Sequence, residues 1–198
     1  MRDIWYSDNR DLVKWGFLMH MAKRYDLHEV IQVPYWRPEQ DRPSITFESS
    51  TFLVPEVVWQ FFRNIKHIEH MGGAFDIPVK VLTDVFNSKD RQGYSLKVRE
   101  QIGKSARPLL LFLDPDTGLE PSRATDTHVT QAEVRDAWSA LHKNEWLVLY
   151  QHARRTSHWI EEVAEQLRAT CGNSPVQVAR SERVGSDVAF LCVKKSVA

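Results

Sequence analysis

Apolar positions along the chain change period several times, and each change marks an element. Leu12, Val13, Phe17, Leu18, Met19, Met21 and Ala22 recur at helical spacing and cover almost every side, which predicts a largely buried helix. Asp8 stands where its cap should be, and Asp11 in its first turn, where a negative charge suits the helix dipole. Residues 29–35 follow as a short strand carrying Val30, Ile31 and Val33, ended by Pro34. Residues 36–54 hold Pro38, Pro43 and few periodic signals, and read as a long connection. Pro55 fits the first turn of a helix whose stripe is Val58, Phe61, Phe62, Ile65 and Ile68, closed by Gly72-Gly73.

Residues 79–84 read as a strand, and residues 90–104 as a polar helix interrupted by Gly93. The unbroken run Leu109-Leu110-Leu111-Phe112-Leu113 is what a parallel strand covered on both faces requires. Thr130-Gln131-Ala132-Glu133 is a capping box that opens a helix to about His142. Residues 146–151 form another strand, and Thr156 or Ser157 caps a helix running to Gly172. Residues 176–180 and 188–194 pair as a hairpin across the turn 181–187. Strands alternating with helices predict an α/β fold. The expectation is a single Rossmann-like three-layer domain over residues 1–198, mostly parallel, with an antiparallel strand supplied by the C-terminal hairpin.

The chain has 198 residues, 42% of them hydrophobic and 26% charged, which allows a substantial core. Lys plus Arg (26) balance Asp plus Glu (26), which argues against a bulk polyanion binder while leaving room for a local basic groove. Cys171 and Cys192 have no metal-ligand spacing and read as small core hydrophobes in a reducing compartment. The first residues show no basic start followed by an apolar run. No stretch approaches the roughly 20 apolar residues that span a membrane, so a cytoplasmic protein is expected. Seven tryptophans belong mainly to the core, with some free to line a pocket.

Ligands of an open parallel sheet bind beyond the carboxyl ends of its strands. The first strand delivers Tyr35, Trp36 and Arg37 there, and the second Asp84. The third delivers Asp114, Asp116, Thr117 and Glu120; the fourth delivers Gln151, His152, Arg154 and Arg155, with His158 one helical turn later. Asp114 ends a buried apolar strand, where an unpaired charge is expensive, so amides, an arginine, a metal or a substrate amine must meet it. Asp114-Pro115-Asp116-Thr117-Gly118 is at the least a turn, but the length of its loop, running to His128, favours function. His152 is a general acid or base near neutral pH, or a structural histidine. Arg154 and Arg155 clamp a phosphate or carboxylate, or remain solvated charges that oppose a helix dipole. Lys14 reaches a ligand, or pairs with Asp11 three residues back. HExxH, paired CxxC and Walker A motifs are missing, and His67 and His70 read as exposed.

The apolar strand followed by Asp114-Pro115 resembles the strand and Asp-Pro-Pro-aromatic motif of the adenine-N6 class of Rossmann-like S-adenosylmethionine-dependent methyltransferases. Asn9-Arg10-Asp11-Leu12-Val13-Lys14 is similar to the opening of one large-subunit rRNA adenine methyltransferase family, and the terminal hairpin suits their sheet, which ends with an antiparallel strand. Asp116 and Thr117 stand where that class has proline and an aromatic, and Val33-Pro34-Tyr35-Trp36-Arg37-Pro38 replaces its glycine-rich cofactor turn. The resemblance implies that Asp114 holds the target amine and that S-adenosylmethionine lies near Asp84, with Tyr35 and Trp36 beside it; Asp116 and His152 join Asp114 as catalytic candidates from their own place at the strand ends. It implies a nucleic acid or nucleotide as substrate, with Trp36 or Tyr35 stacking on a base, and the residues placed to hold it are Asp11, Lys14, Gln151, Arg154 and Arg155. Two other readings stay open. One is a phosphodiesterase or nuclease with Mg²⁺ on Asp114, Asp116 and Asp84 or Glu120, helped by His152 and Arg154. The other is a non-catalytic Rossmann-like module that binds a nucleotide or a protein.

Overall fold

The computed structural model describes residues 9–38, 41–181 and 184–196. Asp8, the expected cap of the first helix, and part of the turn 181–187 lie outside the described residues. The chain opens with α1 (Asn9–Arg24) and β1 (Glu29–Val33), then a hairpin of β2 (Ser44–Phe47) and β3 (Ser50–Leu53). Next come α2 (Glu56–Arg63), a 3-10 segment (Ile65–His70), α3 (Met71–Phe75), β4 (Val79–Val81), α4 (Arg91–Lys104) and β5 (Leu109–Leu113). Two short strands, β6 (Gly118–Leu119) and β7 (His128–Val129), precede α5 (Gln131–Ala140) and β8 (Trp146–His152). The chain closes with α6 (Trp159–Thr170), β9 (Val176–Ala179) and β10 (Val188–Lys194).

The main sheet has the order β4-β1-β5-β8-β10-β9. The strands β4, β1, β5 and β8 are parallel, and β10 runs antiparallel to both its neighbours, β8 and β9. Alternation along β5 sorts its side chains. Leu109, Leu111 and Leu113 join Ile31, Val33, Leu147 and Leu149 under α4, α5 and α6, through Ile102, Val134 and Val163. Leu110 and Phe112 join Val30, Val148 and Tyr150 on the other face, under Trp15 and Leu18 of α1 and Ile65 and Ile68 of the 3-10 segment. Helices thus cover both faces, and each buried side chain of this size contributes about 1.5–3 kcal/mol. The chain leaves β1 toward β4, then crosses back to place β5 on the other side of β1. The direction therefore switches between β1 and β5, where an α/β sheet opens its ligand crevice.

Several local expectations change. Leu12 is exposed, while Asp11 and Lys14 point inward, so α1 is not apolar all round. Residues 36–54 contain a hairpin rather than a bare connection. The helix after Pro55 stops at Asn64, whose side chain accepts from the Lys66 amide at 3.1 Å and caps the 3-10 segment instead. Gly72 and Gly73 lie within α3 rather than ending a helix; a side chain at Gly72 would collide with the Ile77 carbonyl. Gly93 does not interrupt α4: its amide donates to the capping Asp90 carboxylate at 3.0 Å, in space a side chain would fill. Helix α6 starts at Trp159, with no side-chain cap from Thr156 or Ser157. The capping box at Thr130 and Glu133 is complete. No helix among the described residues is long and apolar enough to cross a membrane.

Candidate functional site

The end of β5 carries a charge into the core. Asp114 is 1% exposed. Its amide donates to Val33 of β1 at 2.9 Å, which fixes it at the switch point. Its carboxylate meets Lys14 Nζ at 3.0 Å and accepts from Gln32 Nε2 at 2.9 Å. Lys14 also lies 3.2 Å from Asp11 and 4.3 Å from the centre of the Tyr150 ring. Burial alone pulls the Lys14 ammonium toward neutrality, but attraction to Asp114 and then Asp11 outweighs it and holds its pKa above the ordinary lysine value. Tyr150 is pushed up to about 12, chiefly by burial, against the pull of Lys14. Asp11, Lys14 and Asp114 thus form one buried cluster with two carboxylates and one cation. Of the two alternatives for Lys14, the pair with Asp11 is the one formed, and the same ammonium also meets Asp114 at the strand end.

Beyond this cluster the groups become accessible. His152 ends β8 beside Tyr150, with ring centres 5.3 Å apart. Its Nδ1 lies 3.7 Å from Asp187, which Arg10 grips with Nη2 at 3.0 Å from both oxygens. Burial lowers the His152 pKa below the ordinary value; Arg10 and Lys14 lower it further and Asp187 opposes them. The imidazole is therefore neutral at pH 7 and able to accept a proton.

The 114–128 loop is stapled from several sides. Gln151 is buried and spends its amide on the loop: Oε1 accepts from Leu119 N at 2.8 Å and Nε2 donates to Thr117 O at 3.1 Å. Gly118 lies at φ +116°, with the Gln151 amide in the space a side chain would take. Arg154 donates to the carbonyls of Leu119 and Glu120 at 2.9 and 3.1 Å, while Arg155 is exposed. Arg37 pairs with both Asp116 and Asp126, tying the loop to the segment after β1. Gln151 and Arg154 therefore hold the loop in shape. Among the described residues no three His, Cys, Asp or Glu side chains gather as a metal site.

The segment after β1 separates its aromatics. Tyr35 adopts the left-handed backbone conformation (φ +50°) that a glycine would usually supply, and its ring turns into the core against Phe86 at 5.1 Å and Tyr94 at 5.3 Å. Burial raises its pKa well above the usual tyrosine value. Trp36 is half-buried against the opposite core face and lines a cleft of about 490 Å³, walled also by Trp59 and Glu56 of α2, Arg63, Lys66 and Thr83. The size suits a small-molecule site. Asp84 stands next to Thr83 and pairs with Lys97 at 2.6 Å. Trp36 therefore reaches the cleft, Tyr35 does not, and Asp84 follows the lining residue Thr83. The apolar stripe of α2 gives no sign that this helix walls the cleft. Yet Glu56, Trp59, Gln60 and Arg63 recur at i, i+3, i+4 and i+7, a second face visible in the sequence.

The two thiols carry no chemistry of this site: burial pushes both Cys171 and Cys192 up to about 12. No family model matches the sequence, and no curated protein is significantly similar to it. A solved structure of a DUF574 family protein from Streptomyces avermitilis is similar over 94% of this chain and 82% of that chain, with a TM-score of 0.40 and 9% identity. A likeness of that degree says nothing about activity, which rests on the site's own residues.

Proposed function

We propose that this chain is a methyltransferase-like enzyme that binds S-adenosylmethionine and acts on an amine of a nucleic acid or nucleotide. The observation that carries the reading is the cleft beyond the ends of β1 and β4, walled by Trp36, Trp59 and Thr83. Of the residues that the resemblance implies for the cofactor, Trp36 lines this cleft and Asp84 adjoins it through Thr83, while Tyr35 is turned into the core. The sheet supports the same reading, because its parallel strands end on the antiparallel β10, as the resemblance also implies.

The lining residues fit the cofactor's parts. Trp36 and Trp59 give the cleft aromatic walls that suit an adenine; Arg63, over the Trp59 ring at 4.8 Å, suits a carboxylate together with Lys66, and Glu56, shared with Arg42, suits an ammonium. The missing glycine turn is offset locally, since Tyr35 supplies the left-handed backbone and withdraws its ring into the core. When bound, the cofactor supplies an electrophilic methyl group. The chain's own residues do the rest. Asp114, clamped by Lys14 and Gln32, fixes the start of the loop rather than meeting an amine itself. Asp116 and Arg37 present polar groups nearer solvent. An acceptor amine must lose a proton as it gains the methyl, and neutral His152 serves as that base.

The test is transfer of tritiated methyl from S-adenosylmethionine to unmodified RNA and unmodified DNA. The expected result is label in one of them, falling about 100-fold or more in His152→Ala. Cofactor binding without transfer to either would contradict the enzymatic reading. One observation favours a second reading: Arg63 and Lys66 outnumber Glu56 in the cleft, which suits an anionic nucleotide. A module of that kind would bind ATP or AMP and ignore S-adenosylmethionine.

A further inference from the structure

Helix α2 turns its polar side inward. Glu56, Trp59, Gln60 and Arg63 face the cleft, and Val57, Phe61 and Phe62 project from the opposite side, where none is buried. The preceding hairpin is amphipathic in the same sense. Cross-strand partners share a face, so Ile45↔Phe52 and Phe47↔Ser50 place Ile45, Phe47 and Phe52 together. The other face carries Ser44, Leu53, Thr46 and Thr51, and the two threonine hydroxyls lie 3.0 Å apart. Every residue of both strands is exposed, including that apolar face. Only Val54 and Pro55 separate hairpin from helix, and Arg42 joins them by pairing with Glu56 at 3.2 Å. A lone hairpin and a helix of 8 residues are each marginal in water, so this pair of exposed apolar faces calls for cover.

We propose that a second copy of this chain covers it, through a twofold interface built on the β2–β3 hairpin and the outer face of α2. Area supports the commitment. Phe47, Phe52, Phe61 and Phe62 are 65%, 49%, 64% and 64% exposed. At roughly 200 Å² per ring, that leaves about 500 Å² per copy. Pairing two copies would bury about 1,000 Å² from these rings alone, and stable interfaces begin near 1,200 Å² in total. Ile45 and Val57 supply the remainder. The two apolar faces carry no charge, as in permanent homodimers, so a twofold axis opposes no like charges. The rim is not a cationic collar for lipid either, since Arg42 is paired with Glu56 and Arg63 lies over the Trp59 ring at 4.8 Å. This proposal stands independently of the ligand in the cleft.

Sedimentation equilibrium of the full chain tests it. The expected wild-type mass is that of a dimer at micromolar concentration. Phe61→Ser/Phe62→Ser should weaken dimerisation by about 100-fold or more, with circular dichroism unchanged. Phe47→Ser/Phe52→Ser provides an independent readout from the hairpin, so that a folding defect in one variant leaves the other to decide. A wild-type monomer at ~100 µM, or a dimer indifferent to both variants, overturns the proposal. A monomer that pellets with neutral phosphatidylcholine vesicles overturns it in favour of a lipid surface.

Discussion

Lys14 is the residue on which the site's order depends most. Its ammonium is the cation shared by the buried Asp114 and Asp11 carboxylates. Lys14→Met leaves both without it, and urea unfolding should show a loss of about 3–5 kcal/mol. Lys14→Met/Asp114→Leu should lose less than the single variant, because the most deeply buried carboxylate goes too. Equal losses would contradict the assignment. His152 and His128 give a pH signature. Burial is the largest cause of depression in both, so the folded chain keeps them neutral while the unfolded chain protonates them near pH 6.5. With more protons bound in the unfolded state, stability is fully present above about 6.5 and declines as the pH falls below it. Unfolding free energy should therefore be lower at pH 5.5 than at 7.5 on this account, and His152→Gln should narrow the gap. Sequence showed that Asp114 needed a partner. It did not show which, because Lys14 lies 100 residues away and only the packing of α1 on β5 and β8 unites them.

Among the elements, the β5–α5 loop is held by Gln151 rather than by its own turn residues. Gly118→Ala would force an unfavourable φ and collide with the Gln151 amide, so it should lower the melting temperature. The same substitution at exposed Gly103, where nothing lies within 4 Å, should be harmless by comparison. Similar shifts at both glycines would contradict the staple. Legibility varied with how locally each element is determined. The β5 run and the Thr130 capping box are encoded in adjacent residues and were readable as they stand. Helix α2 was readable as a helix but not as an inverted one. Period identifies an apolar face without saying whether core, ligand or partner covers it. The β2–β3 hairpin is not legible in the sequence, because its strands have only 4 residues each and follow two prolines.

At the scale of the whole molecule, strand order converts local features into a site. The direction switch between β1 and β5 brings Asp114 beside Val33, and the first crossover brings α2 over the ends of β1 and β4. Alternating strands and helices sufficed to foresee the sheet, its mostly parallel character and its antiparallel strand. They could not foresee the cleft, whose walls come from segments 36–38, 56–66 and 83. Titration calorimetry with S-adenosylmethionine tests what this cleft holds. Binding is expected in the micromolar range, weakened at least about tenfold in Trp59→Ala and in Trp36→Ala. Absence of binding, or binding indifferent to both tryptophans, would contradict the proposed cofactor.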